Sequence, residues 1–138
     1  MNNQTTVLAA AGRILMAILF LLSGISKLTA PTTMTEDYIA STGLPAPFRG
    51  YLIAVIVEVG GGLALVLGYR TRIVALILAA FSVATALAFH NDFFDQNQLI
   101  HFLKNVAVVG GLLQVAAFGA GAWSLDARRV RITAYASS

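Results

Sequence analysis

Four long apolar stretches separated by short polar breaks set the pattern of this chain. They cover roughly residues 6–28, 51–68, 73–90 and 99–118. Each is close to the about 20 residues that take a helix across a bilayer at 1.5 Å per residue. In the first stretch Arg13, Met16, Phe20, Gly24 and Lys27 recur at helical spacing and share one face, so both cations of that helix point to the same side. The pattern predicts an all-α membrane protein, a four-transmembrane-helix bundle forming one membrane domain over residues 1–138.

The breaks are informative too. Pro31 interrupts the chain after the first stretch, and Thr33-Met34-Thr35-Glu36 has the form of a capping box. A short amphipathic helix from Met34 to about Thr42 is expected in this first outer loop, ended by Gly43 and Pro45, with Met34, Tyr38 and Ile39 resting on the bilayer interface. Gly68-Tyr69-Arg70-Thr71-Arg72 reads as a tight basic turn. Asn91 to Gln98 is a polar loop in which Phe93 and Phe94 are interfacial anchors. Gly119 and Gly121 end the fourth stretch, Trp123 marks an interface, and a basic tail over 119–138 finishes in residues expected to be loose.

Composition supports the membrane reading. Of 138 residues, 58% are hydrophobic and 11% charged, whereas soluble domains carry about 25% charged residues. There are no cysteines, which excludes disulfide frameworks, thiolate metal sites and CxxC chemistry. The net charge of +3 does not point to nucleic acid, because the basic residues sit at the ends of apolar segments, as positive-inside signals do. The first apolar stretch lacks a basic region before it and a small-residue cleavage site after it, so it reads as a retained span. Arg70, Arg72, Arg128, Arg129 and Arg131 fall on one side, which places both termini in the cytoplasm.

Against this background one carboxylate stands out. Glu58 lies inside the second stretch, roughly 10–12 Å below the outer surface at 1.5 Å per residue. A charge at that depth needs a partner, water or a proton. With alternating spans, Lys27, His90, His101, Lys104 and Asn105 all fall in the same outer half, and Arg13 approaches from the cytoplasmic half. Gly60-Gly61-Gly62, one turn after Glu58, lets a neighbouring helix pack close by. Two readings follow. In one, Glu58 pairs with Arg13 or Lys27 and staples the bundle, Lys27 and Lys104 snorkel, the histidines are interfacial and Asn105 bonds helix to helix. In the other, these residues line a polar pocket for a ligand or a proton. Lys, His and Asn donors suit the carbonyl oxygens of a quinone-like head group, and a carboxylate with imidazoles can pass protons. The same pocket suits a small solute. No metal is assigned, because two histidines and a carboxylate at this spacing are unspecific.

Arg13-Ile14-Leu15 with Ser23-Gly24 and Lys27, Glu58 with Gly61-Gly62, Gly68 with Thr71-Arg72, Phe89-His90, Phe102 with Lys104-Asn105, and Gly119 and Gly121 with Ser124-Leu125-Asp126 follow one another in a characteristic order. In this order and spacing the chain resembles the DoxX family of small bacterial membrane proteins. The resemblance implies a four-helix bundle in the bacterial inner membrane and points to quinone-linked redox systems, with the chain as an accessory subunit. It carries over no catalytic residue. Three functions stand at this stage: a quinone-linked accessory subunit with redox-complex partners, a small-solute or proton transporter acting as a homo-oligomer, and a structural partner-binding protein whose glycine-lined faces, including Gly110-Gly111, dock other helices.

Overall fold

The computed structural model describes residues 3–136 of the chain. Helix α1 (Asn3–Thr29) is the first long helix, and α2 (Thr32–Ser41) follows directly after Pro31. The second long helix runs over Pro47–Leu67. It is built from α3 (Pro47–Val55), a π turn over Ile56–Gly60, and α4 (Gly61–Leu67). Helices α5 (Thr71–Phe89), α6 (Gln96–Phe118) and α7 (Leu125–Ala136) complete the described chain. Four of these helical segments are long and apolar enough to cross a membrane. The protein is an all-α membrane protein, as the apolar pattern predicts.

Packing follows the logic of lipid rather than of water. Small residues fill the helix contacts: Ala10, Ala17, Ala75, Ala79 and Ala86 are all buried. Large aliphatic residues such as Leu15, Leu22, Ile53, Leu76 and Leu103 point outwards. Lipid tails are as apolar as leucine, so helices gain by close backbone approach and not by hiding leucines. Phe20, Leu65, Leu78 and Leu112 fill the centre, where α1, α4, α5 and α6 meet. Two of the three consecutive glycines act as expected. A Cβ on Gly62 would strike Leu21 and approach the Ala17 carbonyl of α1, and one on Gly61 would meet Leu78 of α5. Gly60 faces open space.

Helix ends depart from the expectations in informative ways. Helix α2 starts at Thr32, with Pro31 in the N-cap position and no side-chain cap bond, so the capping box at Thr33 and Glu36 does not form. Proline already presets the dihedral angle φ at the entry, and the helix begins before the Thr33 hydroxyl can serve. Helix α6 starts at Gln96, ahead of the expected Leu99, because the Asp95 carboxylate accepts hydrogen bonds from the amides of Asn97 at 2.7 Å and Gln98 at 3.2 Å. The tail is helical as far as Ala136; the final two residues lie outside the described residues.

The C-terminal segment is also docked. Asp126 Oδ1 accepts from the Arg70 amide at 2.7 Å and Oδ2 from the Thr71 amide at 2.8 Å. A residue of α7 thereby caps α5. In return the Asp126 amide donates to the Gly68 carbonyl at 2.9 Å. Gly68 sits at φ +65° after α4, where a Cβ would fall 2.4 Å from Ser124 Cβ and 2.6 Å from the Arg13 guanidinium.

Two outcomes follow. Gly68→Ala is expected to destabilise the fold by at least about 2 kcal/mol, from the left-handed backbone and the overlap together; an unchanged melting temperature in detergent would refute the tight docking. Burial by itself raises the Asp126 pKa, yet the amides of Thr71 and Arg70, with Arg129 nearby, outweigh it and hold the group below its ordinary value. The stability it contributes is therefore complete above about pH 4 and disappears as the pH falls through the lowered value. The melting temperatures of wild type and Asp126→Ala should differ at pH 7 and converge in acid.

Candidate functional site

The site starts on α1. Ser23 and Lys27 are one helical turn apart and so lie on the same stripe. Gly24 lies between them, and a Cβ there would come within 2.6 Å of Val59 and 3.1 Å of Glu58 Cβ. The absent side chain lets the π turn approach α1 closely. Glu58 sits inside that turn and is buried. A π turn places an extra residue in one helical turn. It shifts the face presented before Glu58 relative to the face presented by Gly61 and Gly62. The three consecutive glycines make such irregular backbone locally accessible.

Lys27 Nζ donates to Glu58 Oε2 at 2.8 Å, to Oε1 at 3.1 Å and to Ser23 Oγ at 2.9 Å. Ser23 Oγ donates in turn to Glu58 Oε1 at 3.1 Å. The three donors of the ammonium are thus all engaged. The Glu58 side chain is 8% exposed and that of Lys27 23%. This is the only salt bridge among the described residues.

The cluster lies on the wall of a cavity of about 450 Å³. Thr35, Tyr38 and Ile39 of α2, Gly50 and Ala54 of α3, Phe81, Thr85 and Phe89 of α5, His90, and Asn105 of α6 also line it. Most of the wall is apolar. The Tyr38 ring stacks on Phe89 with centroids 4.9 Å apart, so α2 folds over the cavity mouth. A second, more polar cavity of about 550 Å³ adjoins it, lined by Ser41, Thr42, Asn91, Asn97, Gln98 and His101. His90 belongs to the walls of both cavities. The His90 and His101 rings stack at 5.1 Å and 19° between planes.

Of the residues expected to converge, Lys27, Glu58, His90 and Asn105 share one cavity. His101 lines the adjoining one. Asn105 Nδ2 donates to the His101 carbonyl at 3.1 Å, a bond within its own helix. Lys104 is exposed on the outer side of α6 and lines neither cavity. Arg13 is elsewhere. Its guanidinium donates to the Ala120 carbonyl and, at 2.8 Å, to the Trp123 carbonyl. Although Arg13 and Lys27 share a face, they are about 21 Å apart along the helix axis, so only one of them can reach Glu58. Sequence reasoning missed three features. Ser23 lies one turn from Lys27, which is a readable spacing. The π turn has only the glycine run as a hint. The covering position of α2 has no local signal.

The group contains no cluster of three or more metal-ligating side chains among the described residues. Its chemistry is that of a paired charge bordering an apolar chamber. Truncating either member leaves the other uncompensated. Lys27→Met or Glu58→Gln alone is expected to cost about 3 kcal/mol. The double variant should cost less than the sum, by about 1–3 kcal/mol of coupling. Thermal unfolding in detergent of the four forms measures this, and strict additivity would show that the pair does not hold the helices together.

Comparison with known proteins places this architecture. The DoxX family model matches residues 8–91. Inner membrane protein YqjF of Escherichia coli (strain K12) is 39% identical over 128 residues, which is 91% of this chain and 95% of that protein. Inner membrane protein YphA of the same organism is 34% identical over 128 residues, covering 88% and 90%. No solved structure matches the chain at a significant level. The matched region holds Arg13, Ser23, Lys27, Glu58 and His90, and the two relatives extend the likeness over nearly the full length; the chain belongs to the DoxX family.

Proposed function

We propose that this protein is an accessory inner-membrane subunit of a quinone-linked redox system, and that a quinone-type head group binds in the cavity beside Lys27 and Glu58. The observation that carries this reading is the setting of the Ser23–Lys27–Glu58 cluster on the wall of a largely apolar chamber of about 450 Å³. Small-molecule sites have this composition, apolar walls with a few placed polar groups. The donor set fits such a ligand. Phe81, Phe89 and Tyr38 offer flat apolar surface for a ring, Asn105 keeps a second amide hydrogen for one of its oxygens, and Lys27 or Ser23 turns to it by exchanging a bond to Glu58. When bound, the quinone supplies two-electron chemistry coupled to protons. The chain's own part is to orient the ring, to hold a positive charge near an oxygen through Lys27, and to keep a proton-accepting carboxylate, Glu58, next to it. His90, on the wall towards the polar cavity, then lies between that carboxylate and water. Both termini face the cytoplasm in this reading, because the arginine-rich turn and tail share one end. Redox partners dock on the outward face of α6, of whose apolar stretch only 6% is buried.

A second reading has one observation of its own. The π turn at Glu58 interrupts a membrane-crossing helix at a charged residue, and broken helices at polar sites are a feature of transporters. In that reading a homo-oligomer moves a small solute or protons past Glu58.

Binding and flux separate the two. The protein purified in mild detergent should retain quinone, detectable by extraction and mass spectrometry, and Glu58→Gln should lower binding of an added short-chain quinone by about tenfold or more, because the Lys27 ammonium loses the carboxylate that holds it at the cavity wall. Wild-type and mutant protein that are both folded and both free of quinone would overturn the first reading. Proton flux in proteoliposomes that Glu58→Gln abolishes would establish the second.

A further inference from the structure

At the end of the bundle opposite the cavity, five arginines lie close in the fold: Arg70 and Arg72 before and within the first turn of α5, and Arg128, Arg129 and Arg131 on α7. None of them forms a salt bridge among the described residues. Asp126, the carboxylate placed among them, already spends both oxygens on the backbone amides of Arg70 and Thr71. One carboxylate faces five guanidiniums, so the positive charge at this end is in local excess.

Part of it is held in place. The Tyr69 ring gathers two guanidiniums, that of Arg129 at 5.0 Å and that of Arg70 at 6.0 Å from its centre. Arg72 runs alongside Gly119, where a Cβ would stand 3.4 Å from its Nε. Between these elements is a groove of about 490 Å³ lined by Arg70, Arg72, Ile73, Phe118, Asp126 and Val130, with both Asp126 oxygens turned to the amides of Arg70 and Thr71. Its charged rim is at the end of the bundle. Its apolar wall continues onto the outward surface of the two crossing helices, where Ile73 and Phe118 are exposed. Trp123, also exposed, stands two residues beyond Gly121 of the same wall.

We propose that this groove is a binding site for an anionic phospholipid. The phosphodiester sits between Arg70 and Arg72, with Arg129 held beside Arg70 on the Tyr69 ring, and an acyl chain runs along Ile73 and Phe118. The two halves of the groove select this occupant together. Guanidiniums recognise phosphate, and basic pockets between crossing helices suit anionic lipid head groups. A soluble acidic partner would match the rim and leave the apolar wall to the bilayer. A neutral lipid would match the wall and leave the arginines without a counter-charge. The site is independent of the cavity at Glu58.

Trp123 is the sole tryptophan of the chain, so its fluorescence reports on this end alone. The full-length protein is reconstituted into phosphatidylcholine vesicles containing a small fraction of lipid with brominated acyl chains, either phosphatidylglycerol or phosphatidylcholine. Brominated phosphatidylglycerol is expected to quench at a mole fraction roughly three- to fivefold lower than brominated phosphatidylcholine. Arg70→Gln with Arg72→Gln should abolish that preference. Arg128→Gln with Arg131→Gln, which removes the same charge outside the groove, should leave most of it. Circular dichroism and the emission maximum in vesicles without brominated lipid confirm that each variant is folded. Equal quenching by the two lipids in wild type overturns the proposal without any variant. Equal losses in the two double variants would show diffuse attraction and overturn it too. A shift of Trp123 emission by soluble glycerol phosphate, together with equal quenching by the two brominated lipids, would show an anion site with no acyl chain bound, and would also overturn it.

Discussion

An ammonium and a carboxylate cannot be parted inside an apolar medium without leaving a bare charge, and the Lys27–Glu58 pair imposes that condition on the whole bundle. It joins α1 to the π turn of the second crossing helix. The pair sets their register, because Lys27 must reach Glu58 while Gly24 admits the backbone at Val59. Ser23 removes the last ambiguity by bonding both members. Below this point the contacts are made by alanines and glycines, which define distance well but register poorly. The ion pair supplies the specificity that small apolar residues lack.

The opposite end uses a different solution for a buried cation. Arg13 is 3% exposed and meets carbonyl groups in place of a carboxylate. Ala120 and Trp123 follow the C-terminus of α6, where the helix dipole presents negative charge. Gly119 and Gly121, both at positive φ, turn the chain so that these carbonyls face inward. Arg13 thus ties the end of α6 to α1, and Gly68 is the only residue type that leaves room for it beside α4. At one end these bonds draw the helices together and leave only a surface groove, whereas the other keeps a cavity between them.

That asymmetry gives the family resemblance a physical content. Most of the residues that recur in order along the chain fall into two groups in space, Lys104 on the outer side of α6 belonging to neither. Ser23, Gly24, Lys27, Glu58, His90 and Asn105 surround or border the cavity, whereas Arg13, Gly68, Thr71, Gly119, Gly121, Ser124 and Asp126 build the opposite end. The second group ties the helix ends to one another, and the first borders the cavity between the helices.

Much of this was legible in the chain itself. Apolar runs of the right length determine four crossing helices whatever their partners, because the backbone must satisfy itself in lipid. The cost of a lone carboxylate in such a run marks Glu58 from sequence, and helical spacing assigns Lys27, Arg13 and Phe20 to one face. Which cation pairs with Glu58 was not legible. It depends on axial offset between helices, a relation between segments distant in sequence, and the tertiary structure gave Lys27 to Glu58 and Arg13 to the carbonyls of residues 120–123. The side of α6 that carries Lys104 was likewise open, since a helix with apolar residues all round has no stripe to show which face is buried. The cavity exists only because α2 folds back over the ends of α3 and α5, a placement set by Ile39 against Gly50 and by Tyr38 on Phe89. The local pattern specified the elements; their offsets, and hence the site, came from contacts that no single segment encodes.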